Sequence, residues 1–229
     1  MAVDYLEGEV LLIHKELHWT SFDVVAKARN MIKNHLRIKK IKIGHAGTLD
    51  PLATGLLILC TGRFTKRIDE FQDLDKEYTG TFYIGKTTPC YDLEKEPDQD
   101  YPTEHITESL LHEVAGTFLG EQDQVPPMFS AIKLDGKPLY IYARKDQEVV
   151  LKSRQVRIDV FELTKIALPL VEFRVVCGKG TYIRSLARDF GLALGSGAYI
   201  HALCRTRIGE YRLEDAISLD QLAADIKNE

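Results

Sequence analysis

The chain has 229 residues, of which 45% are hydrophobic and 28% are charged, and this is enough to bury one good core. No apolar run approaches the roughly 20 residues that a membrane-spanning helix needs, and residues 1–9 lack the basic start and apolar run of a secretory signal. These features exclude an integral membrane protein and a secreted one, and they predict a cytoplasmic protein.

Charge and cysteine usage narrow the possible partners. The net charge of −4 argues mildly against a nucleic-acid partner, but residues 27–42 carry seven lysines and arginines and no acid. This segregation can give an acidic protein one basic face, although a solvated helix face would explain the run almost as well. The four cysteines are far apart in the sequence, so neither a disulfide framework nor a metal site is predicted.

Strand and helix signals follow each other without regular alternation. The first strand is predicted at residues 9–13, and Thr20 and Ser21 can cap the first helix. The apolar residues at helical spacing in that helix are Phe22, Val25, Ala28 and Ile32. In chain order there follow strands at 41–43, 56–60 and 77–85, a helix at 107–114, strands at 155–166 and 170–177, a helix at 183–194, a strand at about 200–211 and a helix at 219–226. We therefore expect an α+β fold with a mixed, largely antiparallel sheet flanked by helices, in a single domain of residues 1–229.

The loop at residues 44–55 is the most informative stretch. Its three glycines permit backbone conformations that other residues avoid, so the loop can be tight. Asp50 precedes Pro51, which biases it towards an extended or turn conformation. Leu49 and Leu52 would fasten the loop to the core. The pattern favours a carboxylate held rigidly at the rim of a cleft, but an aspartate that merely forms an Asx-turn fits the same residues.

Residues 45–55, which read His-Ala-Gly-Thr-Leu-Asp-Pro-Leu-Ala-Thr-Gly, resemble the catalytic-loop signature of the TruB family, the tRNA pseudouridine-55 synthases. Four other stretches resemble further elements of that family in the same order. These are residues 76–78, an insert at 127–133, 136–137 and 140–144, residues 178–186, and Leu203, Cys204, Arg205 and Arg207. The similarity runs from about residue 8 to residue 216. It implies a pseudouridine synthase fold and an isomerase that needs no cofactor or metal.

The resemblance also implies a role for individual residues. Asp50 would be the catalytic carboxylate, acting either as a nucleophile or as a base, with Arg184 as its ionic partner. Tyr78 would stack on the flipped uracil and is a candidate for removing the C5 proton. The remaining residues implied by the family are Tyr182 as pocket lining, Leu203 as an apolar wall, His45 as the residue that enters the RNA loop, and Lys15 and Lys66 as contacts to the RNA backbone.

The match weakens at both ends of the chain. The N-terminal signature of the family has a proline and a glycine where this chain has Glu16 and His18, so the turn here can differ. Many family members carry a small RNA-binding PUA domain after the catalytic one, and the sequence ends at Glu229 without one. We expect a monomer without an obligate protein partner, whose partner is the T-arm stem-loop of tRNA.

The sequence leaves two other functions open. One is a pseudouridine synthase that acts on another RNA, and the other is a tRNA-folding chaperone that binds and unstacks the T-arm without turnover. An Asp50→Asn variant separates the chaperone from the enzyme, because only the enzyme needs the carboxylate.

Overall fold

The computed structural model describes residues 4–130, 132–134, 136–143, 145, 147 and 149–228. These residues form two compact units. The first contains the residues up to Tyr78 and those from Leu203 onward, and the second is Thr79–Ala202. Ala131 and Arg144 of the family-like insert lie outside the described residues. The assignment of residues 1–229 to a single domain stays a prediction.

Strands outnumber helices in the described part of the chain, as the sequence predicts. The strands are β1 (Val10–Lys15), β2 (Ile43–His45), β3 (Ala53–Thr61), β4 (Lys76–Ile84), β5 (Lys86–Thr87), β6 (Gln99–Asp100), β7 (Gly120–Gln124), β8 (Lys133–Leu134), β9 (Lys137–Pro138), β10 (Arg154–Ala167), β11 (Leu170–Cys177), β12 (Ala198–Ile208) and β13 (Tyr211–Arg212). The helices are α1 (Ser21–His35), α2 (Ile68–Asp73), α3 (Glu108–Gly116), α4 (Leu139–Ala143), α5 (Ile183–Ala193) and α6 (Leu219–Asn228), with 3-10 turns at Gly62–Arg67 and Leu213–Asp215.

The first unit is built around β3. β1 pairs with β3 in antiparallel register along its whole length, β2 pairs with the end of β3, and β12 pairs with its beginning in parallel. The parallel pair places Leu203 opposite Ala53 and Arg205 opposite Gly55. The segment that carries Asp50, residues 46–56, is called the Asp50 segment. It follows β2 and runs into the start of β3, beside β12.

Helix α1 covers this sheet because its start and its apolar face are both well specified. Thr20 caps the helix by accepting a hydrogen bond from the backbone N–H of Asp23, whose carboxylate accepts one from the N–H of Thr20 in return. The buried side chains of α1 include Val24, Val25, Ala28 and Ile32, which pack with Leu57 and Leu59 of β3 and with Leu222 and Ile226 of α6. Burying each valine, leucine or isoleucine side chain of this cluster stabilises the fold by roughly 1.5–3 kcal/mol.

The second unit has the strand order β12-β4-β11-β10-β7, and β10 pairs in antiparallel register with both β11 and β7. Its core is aromatic. Phe82 stacks on Phe173 with ring centroids 4.0 Å apart, and Phe190 of α5 lies 5.5 Å from Phe82. This packing fixes α5 against the sheet. The antiparallel ladders, together with the parallel pair of β3 and β12, confirm an α+β fold with a mixed, largely antiparallel sheet.

Several element boundaries differ from those predicted. Phe22 is 69% exposed, and Val24 takes its place on the buried side of α1. The predicted loop at 44–55 contains strand residues at each end, because β2 extends to His45 and β3 begins at Ala53. The predicted strand at 200–211 is interrupted after Ile208, where Gly209 has a φ of 56° and turns the chain into β13. The structure adds α2 and β7, which the sequence pattern did not predict.

Candidate active site

The segment that carries Asp50 is fastened to the core immediately before the aspartate. The hydroxyl of Ser21, at the start of α1, accepts a hydrogen bond from Leu49 N (2.8 Å) and donates one to Leu49 O (3.2 Å). The Leu49 side chain is buried, and Ala53 N donates to Asp50 O at 3.1 Å. Asp50 itself is partly exposed. The residues on both sides of Asp50 are therefore fixed, and Asp50 keeps part of its surface accessible.

Arg205 ties the two ends of this segment together. It is only 1% exposed, its Nε donates to Leu56 O at 2.8 Å, and its Nη2 donates to Gly47 O at 3.1 Å. Gly55 lies directly against its backbone: a Cβ at Gly55 would stand 2.3 Å from Arg205 O. In the sequence, Arg205 is only one residue of a family-like motif. Its role depends on the pairing of β12 with β3, which local sequence patterns do not indicate.

Lys15 is enclosed under the same segment. The side chain is completely buried, and its ammonium donates to Trp19 O (2.6 Å), Glu16 O (3.0 Å) and Pro51 O (3.4 Å). Burial lowers the pKa of Lys15 to about 8, although the nearby Asp50 carboxylate acts in the opposite direction. The predicted contact of Lys15 with the RNA backbone does not fit this environment, because its three donors are already directed at backbone carbonyls. We propose instead that Lys15 positions the Asp50 segment.

One residue of the altered N-terminal signature adopts a backbone conformation typical of glycine. His18, which stands where the family has glycine, has a φ of 67°, the left-handed conformation that glycine adopts most easily. Its N–H donates to Pro51 O at 2.9 Å. The turn therefore still docks on the Asp50 segment despite the substitution.

His45 and Lys66 lie on either side of this region in the chain. His45, the last residue of β2, is partly exposed, but its Nδ1 is covered and has no hydrogen-bond partner among the residues that the structure describes. Burial lowers the pKa of His45, and the charge of Arg205 lowers it further. Lys66 is exposed in the 3-10 turn, where it is accessible to a phosphate. The RNA contacts of both residues stay predictions.

Tyr78 and Leu203 stand at the two places where the chain passes between the units. Tyr78 is a partly exposed residue of β4, and its neighbour Glu77 accepts a hydrogen bond from the Thr206 hydroxyl at 2.9 Å. Leu203 is also partly exposed and lies opposite Ala53, where the Asp50 segment ends. Its role as an apolar wall stays a prediction.

Arg184 belongs to the second unit, in the first turn of α5, and is almost fully buried. Its guanidinium donates to Phe129 O (2.7 Å) and Cys90 O (3.1 Å), and its Nε lies 3.5 Å from a carboxylate oxygen of Asp92, which is also buried. Asp92 was not among the residues singled out in the sequence, because nothing in its neighbourhood points to a buried carboxylate. The pairing of Arg184 with Asp50 stays a prediction.

Tyr182 immediately precedes α5 and is held by its backbone. The Gln124 side chain accepts from Tyr182 N at 2.8 Å and donates to Tyr182 O at 3.1 Å, so that one buried amide satisfies both groups. The guanidinium carbon of Arg154 lies 4.6 Å from the centre of the Tyr182 ring. Neither Gln124 nor Arg154 stood out in the sequence, since both lie outside the family-like motifs.

The described residues contain no group of three or more histidine, cysteine, aspartate or glutamate side chains that could hold a metal ion. None of the helices in the described ranges is long and apolar enough to span a membrane.

The family models and the relatives that match this chain all belong to the same family. A model described as TruB family pseudouridylate synthase (N terminal domain) matches residues 33–183, and one described as tRNA pseudouridylate synthase B C-terminal domain matches residues 184–229. A tRNA pseudouridine synthase B from Flavobacterium johnsoniae is 59% identical over 94% of this chain and 95% of its own length, and one from Parabacteroides distasonis is 57% identical over 96% and 94%.

Solved structures show the same similarity over a shorter part of longer chains. A chain in a Cbf5-Nop10-Gar1 complex has a TM-score of 0.72 and 30% identity over 96% of this chain. A chain of an H/ACA RNP bound to a substrate RNA containing 2'-deoxyuridine has a TM-score of 0.68 and 28% identity. The present chain spans about half the length of each, 54% in both cases.

Proposed function

The chain belongs to the TruB family of pseudouridylate synthases, and from this premise we propose that it isomerises uridine 55 in the T-loop of tRNA to pseudouridine, with Asp50 as the catalytic carboxylate. The observation that carries the proposal is the way Asp50 is held. Ser21 fixes the residue before it, and Lys15 and Arg205 hold carbonyls of the same segment. A carboxylate fixed in this way can meet a reacting atom without paying the entropy of ordering a loop.

The reaction breaks the N1–C1′ glycosidic bond, turns the base, and joins C5 to C1′. Asp50 either forms a covalent adduct with the nucleoside or takes a proton from the sugar, and both routes need an ionised, oriented carboxylate at the rim of the pocket. Arg184 is proposed as its ionic partner. Asp92 lies 3.5 Å from the Arg184 Nε and helps to fix the direction of the guanidinium.

The uridine must leave the RNA stack before it can react, which costs a few kcal/mol. Stacking of the base on an aromatic side chain recovers about 1–3 kcal/mol. We assign the stacking to Tyr78, whose hydroxyl is also the candidate for taking the C5 proton, and the pocket lining to Tyr182 and Leu203. His45 is assigned to the space in the RNA loop that the flipped nucleotide leaves.

The exposed cations of the first unit support an RNA substrate. Lys27, Lys39, Lys40 and Lys42 are exposed, as is Lys66. These charges belong to the same unit as Asp50 and would attract a polyanion to that unit. We propose that the protein works as a monomer, because every residue assigned to the chemistry lies on one chain. We also propose that it acts in the cytoplasm, where its tRNA substrate is found.

The position of the modified uridine is tested with two tRNA transcripts labelled with tritium at C5 of their uridines. One has the natural T-loop and the other has cytidine at position 55. Forming the C5–C1′ bond expels the tritium of the reacting uridine into water. Release of one tritium per molecule from the first transcript and none from the second is expected without added metal or nucleotide. Equal release from both would refute the assignment to uridine 55, and no release from either would favour the binding-protein alternative.

A further inference from the structure

Arg154, the first residue of β10, has two guanidinium nitrogens without a hydrogen-bond acceptor. Its Nε and Nη2 are covered from solvent, and no described residue accepts a hydrogen bond from either atom. Within the described part of the chain, the other covered side-chain atoms without a partner are Nδ1 of His45 and Oγ of Ser130. Both of those belong to segments that resemble family motifs, whereas Arg154 lies outside them and supplies two of the four unsatisfied atoms.

The position of the Arg154 guanidinium is fixed relative to Tyr182. Its carbon lies 4.6 Å from the centre of the Tyr182 ring, and the same carbon would be 3.8 Å from a Cβ at Gly180. Arg154 also lies opposite Gln124 in the ladder between β10 and β7. The Gln124 amide is hydrogen-bonded to both the N–H and the C=O of Tyr182. The paired strands β7 and β10 therefore hold both Tyr182 and the Arg154 guanidinium in place.

The two unsatisfied nitrogens form one edge of the guanidinium. The N–H groups of Nε and Nη2 point in parallel, which matches two oxygens of a phosphate or a carboxylate. The Tyr182 ring balances part of the positive charge through its face but supplies no acceptor in the plane of the guanidinium. The edge is shielded from water, so an anion that reached it would be held more strongly than on the open surface.

We propose that Arg154 binds a phosphate of the RNA backbone next to the nucleotide that enters the pocket lined by Tyr182. The proposal rests on the proposed function, because that function supplies the RNA. Since both nitrogens are covered, the phosphate reaches them only when a neighbouring segment moves aside. A phosphate is favoured over a uracil carbonyl because its two oxygens satisfy both nitrogens and its charge matches that of the guanidinium.

The test compares two variants. Arg154→Met keeps the apolar stem and removes the charge, and Arg154→Lys keeps the charge but lacks the two parallel N–H donors. Arg174→Met is the matched control, because Arg174 donates to Glu162 on the neighbouring strand at 3.1 Å and has no role in the site. Binding of a T-arm stem-loop RNA is measured from 50 to 200 mM salt, and tritium release gives kcat and KM.

Arg154→Met is expected to weaken binding roughly tenfold at 50 mM salt and to lower the slope of log affinity against log salt by about one. Its KM should rise by a larger factor than its kcat falls, Arg154→Lys should recover part of the slope, and Arg174→Met should change neither affinity nor slope. An unchanged slope and affinity in Arg154→Met would overturn the proposal. A loss of kcat with an unchanged slope would also overturn it, since Arg154 would then only position Tyr182.

The wild-type protein separates this inference from the function on which it rests. If wild type releases tritium and Arg154→Met keeps the wild-type slope, only the phosphate contact fails. If wild type binds the RNA without releasing tritium, the enzymatic proposal fails. The dependence of RNA affinity on salt then still tests whether Arg154 contacts a phosphate. If wild type does not bind the RNA, both are refuted.

Discussion

Replacing Arg205 by methionine removes the cation that joins Gly47 O to Leu56 O while keeping a similar apolar volume. Each hydrogen bond from a charged donor contributes about 1.5–3 kcal/mol, and leaving a buried carbonyl unpaired costs about 1–3 kcal/mol. The variant also no longer buries a charge, which offsets part of the loss. With two carbonyls affected, we expect the free energy of unfolding to fall by about 3 kcal/mol.

The same substitution should lower kcat more than it raises KM. With its two ends no longer joined, the segment can shift, and a displacement of about 1 Å of a catalytic group can cost about 100-fold in rate. The assay combines urea unfolding, followed by circular dichroism, with tritium release from the labelled tRNA. Arg212→Met is the control, because this exposed arginine of β13 pairs only loosely with Glu214, at 3.8 Å. A stability within about 0.5 kcal/mol of wild type, together with an unchanged kcat, would refute the role given to Arg205.

Three further substitutions test the close approach at Gly55, the lowered pKa of Lys15 and the contact between Asp92 and Arg184. Gly55→Ala places a Cβ 2.3 Å from Arg205 O at a φ of 107°, so the protein should lose at least about 3 kcal/mol of stability in urea unfolding; a loss below 1 kcal/mol would contradict the close approach. The unfolded chain binds the Lys15 proton more tightly than the folded one, so raising the pH from 7 to 9 should stabilise wild type relative to Lys15→Met by about 1 kcal/mol; an equal pH dependence of unfolding in both would contradict the lowered pKa. Asp92→Asn leaves the buried guanidinium of Arg184 without this carboxylate and should lower kcat at least tenfold with little change in RNA affinity; unchanged single-turnover kinetics would refute its supporting role.

The sequence was sufficient for the residues whose type and spacing carry information locally. Thr20 and Ser21 mark the start of α1, and the glycines around Asp50 indicate a tight segment, because caps and turns are set by near neighbours. The exposure of Phe22 was missed because helical spacing alone did not show which face meets β3.

The contacts that the sequence did not reveal join distant segments. Arg205 meets Gly47 158 positions away, and Arg184 meets Cys90 94 positions away. The enclosure of Lys15 was also not visible in the sequence, because it involves Pro51, which lies 36 positions away. Such roles follow from tertiary packing, which local patterns do not contain.

The central claim is that Asp50 performs the chemistry and does not serve binding. The most direct measurement is single-turnover tritium release from T-arm RNA by wild type and Asp50→Asn, with RNA affinity measured on the same samples. The account predicts release by wild type, no detectable release by Asp50→Asn, and affinities that agree within about threefold. Release by Asp50→Asn at a rate near that of wild type would contradict it.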